Sequence, residues 1–243
     1  MGLAVAEVQQ GKTGSTVTTL AATVFTTSPN VGDLIVVFVA TEAGTLPSHT
    51  APTDSAGHTA TQVGSQQSGG IEGLSVWVFE NITVGTGLSS YIVTAHWGTS
   101  SGTLVVVRVT GNNTPTSYNG DIVQNSLTAE TSSTNPSVGP TTVAPANQSI
   151  FFGCVASDTA PNANYTDGTN IAWTHVTNEV QTDNTTFDDL YVEHFINSDA
   201  TKQTAQWVGA TAPWFALVCS FAPAPTAAVS VRHGVISKQQ RMT

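Results

Sequence analysis

Two segments constrain this chain more than any other: LIVVFVA at 34–40 and TLVVVRV at 103–109. A strand sends alternate side chains to opposite faces, so a strand with one wet face alternates apolar and polar residues. A run apolar at nearly every position is instead a strand covered on both sides. Such strands lie in the middle of a sheet, with another layer above and below. They are too short for the ~20 residues of a transmembrane helix.

The rest of the sequence supplies the surrounding strands. Thr fills 39 of 243 positions, and its branched Cβ favours a pleated surface over a helix. Charged residues are only 9%, but 40% of positions are hydrophobic, which separates this chain from disordered low-complexity sequences. Short Val, Ile, Leu, Phe and Thr runs bounded by Gly, Asn, Pro or Asp recur throughout. They predict strands near 3–9, 16–25, 34–41, 58–64, 74–80, 89–97 and 103–110. A second set falls near 120–128, 137–143, 149–156, 171–180, 187–196, 202–208 and 214–221.

The two sets resemble one another in order. NVGDLIVVFVATEAGT aligns with PANQSIFFGCVASDTA, TDSAGHTATQVGSQ loosely with YTDGTNIAWTHVTNEVQ, GLSVWVFENITVG with FDDLYVEHFINSDA, and AHWGTSSGTLVVVRVTG with AQWVGATAPWFALVCSF. Trp97 and Trp207 match, as do Trp77 and Tyr191, which marks them as core anchors. The fold class is therefore all-β, with pseudo-repeat halves at about 1–111 and 112–225. One jelly-roll-like β-sandwich built from both halves is favoured over two tandem immunoglobulin-like sandwiches. The body closes at FAPAP, where two prolines end a ladder.

Beyond Pro225 the composition changes. Residues 1–231 carry 16 acidic and 3 basic side chains, net −13, whereas 232–243 carry three cations and no acid. In VSVRHGV, Val229, Val231, His233 and Val235 alternate with Ser230, Arg232 and Gly234. This strand pattern has no partner of its own and suits addition to a neighbour's sheet edge. Lys238 and Arg241 follow. Residues 226–243 are read as an extended basic arm, with Val229, Val231, Arg232, Val235, Lys238 and Arg241 as its contact residues.

Chemistry-bearing motifs are sparse. GTSSG at 98–102 matches the G-x-S-x-G elbow around Ser100, but that motif needs a strand–turn–helix setting. Here a strand follows at once, so the segment reads as a Gly/Ser hairpin loop. The six histidines (His49, His58, His96, His175, His194 and His233) show no metal-ligand spacing. Asp183, Asp188 and Asp189 are weak calcium candidates without a D-x-D-x-D-G loop. Asp189 and Glu193 share a strand face, but at ~13 Å apart they fit neither glycosidase geometry. Cys154 and Cys219 sit in apolar strands and read as buried thiols, a cross-strand disulfide being the alternative. Asn-x-Ser/Thr at Asn81, Asn112, Asn147, Asn164 and Asn184 is expected by chance in so Asn- and Thr-rich a chain.

The acidic body argues against nucleic acid as a partner. MGLAVAEVQQGKTG has no basic region followed by an apolar one, so no secretion signal is expected, and MGLAVA lacks the Ser or Thr of a myristoylation site. The blocks GDLIVVFVA, TDSAGHTATQVG, LSVWVFENIT and TLVVVRVTG, with their second copy and closing FAPAP, resemble a diffuse family of β-sandwich proteins. That family occurs in bacteriophage genomes and in bacterial extracellular proteins. The resemblance spans about residues 17–225 and implies a virion or surface structural module with no catalytic residues to carry over; no enzymatic activity and no cofactor are expected. A capsid decoration or cement protein of a tailed phage is the expected function, with a head fibre or tail component close behind. It would be assembled in the host cytoplasm, as a homo-oligomer (a trimer among the possible states), on the major capsid or another virion protein and on no membrane. The alternative is a lectin-like carbohydrate-binding host-adhesion module, with Trp173, Tyr165 and His49 near its candidate loops.

Overall fold

The computed structural model describes residues 3–42, 48–69, 72–80, 82–83, 90–111, 116–127, 136–141, 149–157, 166–167, 173–175, 189–197, 202–208 and 214–223. No helix occurs among them. The strands are β1 (Ala4–Ala21), β2 (Leu34–Glu42), β3 (Thr50–Asp54), β4 (Ala60–Gly69), β5 (Glu72–Phe79), β6 (Val93–Thr110) and β7 (Thr116–Leu127). They continue with β8 (Ser137–Val138), β9 (Ser149–Ser157), β10 (Thr166–Asp167), β11 (Thr174–His175), β12 (Asp189–Asn197), β13 (Ala205–Val208) and β14 (Trp214–Pro223).

All pairings are antiparallel. The first sheet runs β1-β6-β2-β5-β4, with β3 also on β6. The second runs β7-β14-β9-β12-β11, the same order taken from the second half of the chain, and β10-β13-β8 form a small sheet beside it. In each half the first strand therefore lies against the last, so closing either half requires its two ends to meet.

Strand alternation explains the two-faced apolar runs. Leu34, Val36, Phe38 and Ala40 of β2, with Val105, Val107 and Val109 of β6, enter one core together with Ile150, Phe152 and Cys154 of β9 and Leu217, Cys219 and Phe221 of β14. The two large sheets thus pack face to face, and Phe38 meets Phe152 with ring centroids 5.6 Å apart. The alternate residues Ile35, Val37 and Val39 face the other way, into a core with Trp77, Phe79, Tyr91, Val93, Ala95 and Trp97 that draws only on the first half. Phe151, Val155, Tyr191, Ala205, Trp207, Ala216 and Val218 make the corresponding core of the second half. Each half has an inner core of its own, and a third core joins the two.

The inner core of the first half exists because β1 and β6 bend together. Residues 4–13 of β1 pair with the end of β6 in the first sheet, and 17–21 pair with its beginning, with register shifts between Thr13 and Val17 and between Val17 and Thr19. The start of β6, flanked by β1 and β3, folds back over the sheet that its end belongs to. At the bend Trp97 lies on Gly102, where a Cβ would stand 2.8 Å from the indole ring and 2.9 Å from the Ala40 carbonyl oxygen. The segment 98–102, expected as a hairpin loop, is this bend within one continuous strand. The same holds at 10–15, expected as a turn between two strands. Gly and Ser are needed there for close approach, not for chain reversal.

The outer edge of β1 is covered by the chain's own return. The Thr23 N–H donates to the Gln10 carbonyl. The Glu7 carboxylate accepts from the Thr26 N–H (2.5 Å), the Thr26 hydroxyl (2.9 Å) and the Thr27 N–H (3.4 Å). A long edge strand is a template for unwanted pairing, and a covering segment removes the hazard.

Cys154 and Cys219 are thiols, not a disulfide, buried in the core between the sheets, and burial pushes the Cys154 thiol well above its ordinary range. Both should resist a thiol-reactive reagent until the protein unfolds. Phe152→Ala should cost about 3–5 kcal/mol of stability in denaturant unfolding and speed Cys154 modification. Unchanged thiol reactivity in that variant would show that the joining core does not depend on Phe152.

Candidate functional site

Among the described residues the side chains capable of chemistry form several small clusters, the best developed of them in the first half. Ser100 is 2% exposed. Its hydroxyl donates to the Glu42 and Ser101 carbonyls at the β1–β6 bend. This fixes the bend to β2, and the chain runs on from Ser100 as strand, not as the helix of a nucleophile elbow.

TDSAGH holds a denser arrangement. The Asp54 carboxylate accepts from the Tyr91 hydroxyl (2.7 Å), the His58 N–H (2.8 Å) and the Ala56 N–H (3.2 Å), and its Oδ2 lies 2.5 Å from His58 Nδ1. Gly57, at φ 81°, lets the loop turn back on Asp54. His58 Nε2 accepts the Thr83 N–H at 3.2 Å, which puts the ring proton on Nδ1, facing Asp54. An Asp–His pair invites a general-base reading. Here, however, the base nitrogen is capped by a backbone amide. Burial raises the Asp54 pKa, but the bonds from Tyr91 and His58 outweigh it and hold the group below its ordinary value. Burial and the Asp54 contact push the Tyr91 phenol up. The motif closes a loop onto the inner core.

His49, expected in or near a candidate loop of the carbohydrate-binding alternative, is turned inward. Its Nε2 lies 2.7 Å from Thr41 Oγ1 and its Nδ1 2.7 Å from Ser75 Oγ. Its backbone N–H donates to Gln66 Oε1 at 2.9 Å. Burial lowers its pKa to about 4. A second buried group, absent from the sequence-based expectations, is the ion pair of Arg108 and Asp33. Arg108 Nε donates to Asp33 Oδ2 at 2.7 Å, and Nη1 donates to the Thr27 carbonyl at 3.1 Å. The Asn30 N–H takes the same Asp33 oxygen at 2.7 Å. Its one signal was a lone cation inside VVVRV, in a strand otherwise buried on both faces.

All five tryptophans are buried, from 0% exposure at Trp207 to 7% at Trp77. None offers a face for a sugar ring to stack on. Glu193 is fully buried on β12, paired in register with Gly153, and Asp189 pairs with Ser157 four residues away. Burial lowers the His194 pKa, opposed by a bond to the Thr174 backbone. Among the described residues no group of three or more His, Cys, Asp or Glu is placed to hold a metal ion. Asp183, Asp188 and the side chain of Asp189 lie outside the described residues, as do Tyr165 and the whole arm with Val229, Val231, Arg232, Val235, Lys238 and Arg241. No described helix is long and apolar enough to cross a membrane.

Comparison with known proteins adds no relative. No family model matches the chain, and no curated protein or solved structure matches it either.

Two outcomes follow from these clusters. Asp33→Ala leaves Arg108 buried without its partner and should cost about 3–5 kcal/mol in urea unfolding; a loss under 1 kcal/mol would remove the pair from the fold's supports. Asp54 and Glu7 are both held below their ordinary pKa, Glu7 by bonds from Thr26, Gln9 and Thr27 that outweigh its burial. The stability they supply is complete above the unfolded carboxylate range of roughly pH 4 and is lost as pH falls below it. Asp54→Asn should flatten that limb of the stability–pH curve.

Proposed function

We propose that this protein is a non-enzymatic virion structural protein, a capsid decoration or cement protein of a tailed bacteriophage, with a head fibre or tail component as the near variant. One observation carries the reading most. Ser100, Asp54, His58, Glu7, His49 and Arg108 are each engaged in fastening one strand or loop to another. A body whose reactive groups are consumed in this way suits adhesion and mechanical resistance better than turnover.

The strand order of each half also supports a jelly-roll-like wrap, since first and last strands run side by side, and in the first half they bend together from one layer to the next. In this reading the acidic sandwich sits on the shell as a homo-oligomer, and the basic arm at 226–243 ties it to an acidic neighbour. Its partners are the major capsid protein or another virion protein. Many modest contacts repeated by symmetry would resist internal pressure. The carbohydrate-binding alternative needs an exposed aromatic platform, and five buried tryptophans weigh against it.

Purified full-length protein should rebind phage heads stripped of their decoration, and a chain ending at Pro225 should bind them at least tenfold more weakly. Light scattering after size exclusion on the two chains separates an arm that holds the free oligomer together from one that docks only on the shell. Absence of the protein from virions and from heads would overturn the proposal.

A further inference from the structure

His49 ties together four segments that are distant in sequence. Its ring joins Thr41 on β2 to Ser75 on β5, and its N–H joins Gln66 on β4. Next to it the Ser48 carbonyl accepts the Gly98 N–H of β6, and Thr50 pairs with His96. Thr41 and Ser75 are 2% and 0% exposed. The cluster closes over Gly73, where a Cβ would lie 2.9 Å from Gln66 Nε2 and 3.2 Å from both His49 Nε2 and Thr41 Oγ1.

The surroundings disfavour a charged ring. Its two hydroxyl neighbours, Thr41 Oγ1 and Ser75 Oγ, the latter also accepting the Trp77 indole N–H at 2.9 Å, carry no charge to offset an imidazolium that burial strips of water. Among the described residues no carboxylate is placed against the ring. On β2 and β5, Glu42 and Glu72 hold the alternate register positions to Thr41, Gly73 and Ser75. The segments β4 and 43–48 contain no charged residue. On β3 and β6, Asp54 is engaged by Tyr91 and His58, and His96 by Thr53.

We propose that the His49 cluster is an acid-operated latch: protonation of its ring releases residues 48–50 and the bulged stretch of β4 around Gln66 from the first sheet before the rest of the body opens. The stretch already departs from regular pairing, with a register shift between Val63 and Gln67. Once Gln66 and Thr41 let go, the ladder pairs of the outermost strand of that sheet are those it keeps with β5. The depressed pKa of His49 agrees with this geometry and places the release in the window between the ordinary histidine value and about 4. Stability of the closed latch is complete above about pH 6.5 and falls as pH drops through that window.

Hydrogen–deuterium exchange on the full chain, corrected for intrinsic rates, tests this between pH 7.5 and 4.5. Local opening of amides 48–50 and 64–67 should rise roughly fifty- to a hundredfold, while β9 and β14 stay protected. His49→Gln, which keeps hydrogen-bonding capacity without titrating, should make those amides insensitive to pH. Unchanged protection at pH 4.5, loss of protection in β9 and β14 in step, or the same pH profile in His49→Gln would each overturn the latch. Should that variant not fold, the ring resonances of His49 in the unaltered protein decide. Titration that coincides with local exchange supports the latch, and titration at an ordinary pKa without opening refutes it.

Discussion

The structure depends on burying both faces of β2, β6, β9 and β14. One set of alternate residues in these strands fills the inner core of a half, and the other set meets the opposite half. Neither face of a strand such as Leu34–Ala40 can be left in water without exposing a contiguous row of Val, Leu and Phe. The layers are therefore mutually dependent. A half that lost its partner would present a full sheet face, and a sheet that lost its folded-back strands would present the other.

Once the sheets are fixed, several buried polar groups of the first half find their partners in compact devices. Asp54 collects donors from its own loop and from Tyr91, Glu7 holds the returning chain across an edge, and His49 bridges hydroxyls. Each is a buried or half-buried group with its partners supplied by the fold, as a low-dielectric interior demands. These devices occupy the positions where catalysis would otherwise be sought, since the residue types that fasten a loop are the same ones that move protons.

Much of the architecture was legible because it rests on periodicity. The unbroken apolar runs identify the central strands, and the matching order of blocks finds its counterpart in two sheets of the same strand order. The bends were not legible. GTSSG and QGKTGS carry turn residues, and sequence alone does not separate a reversal from a fold in two strands that travel together. The strand at Thr50–Asp54 escaped notice because TAPTD contains a proline and no apolar run. The clusters escaped for a different reason: Asp33 and Arg108 are 75 positions apart, and His49 meets Ser75 only after β2 and β5 pair. Trp77, Trp97, Trp207 and Tyr191 were read as core from their matched places, and all four are buried.

The Arg108–Asp33 pair also shapes what the molecule presents to its surroundings. It withdraws one of the few cations from the surface and cancels it internally against an acid. Among residues 1–225 that leaves Lys12 and Lys202, both exposed, as the basic groups facing solvent. The net charge of residues 1–225 is then carried almost wholly by carboxylates, so the field around the body is nearly of one sign. Association with a basic face would be drawn in from about a Debye length and would weaken steeply as salt is added. Identical bodies would hold one another at a distance unless a cationic segment came between them.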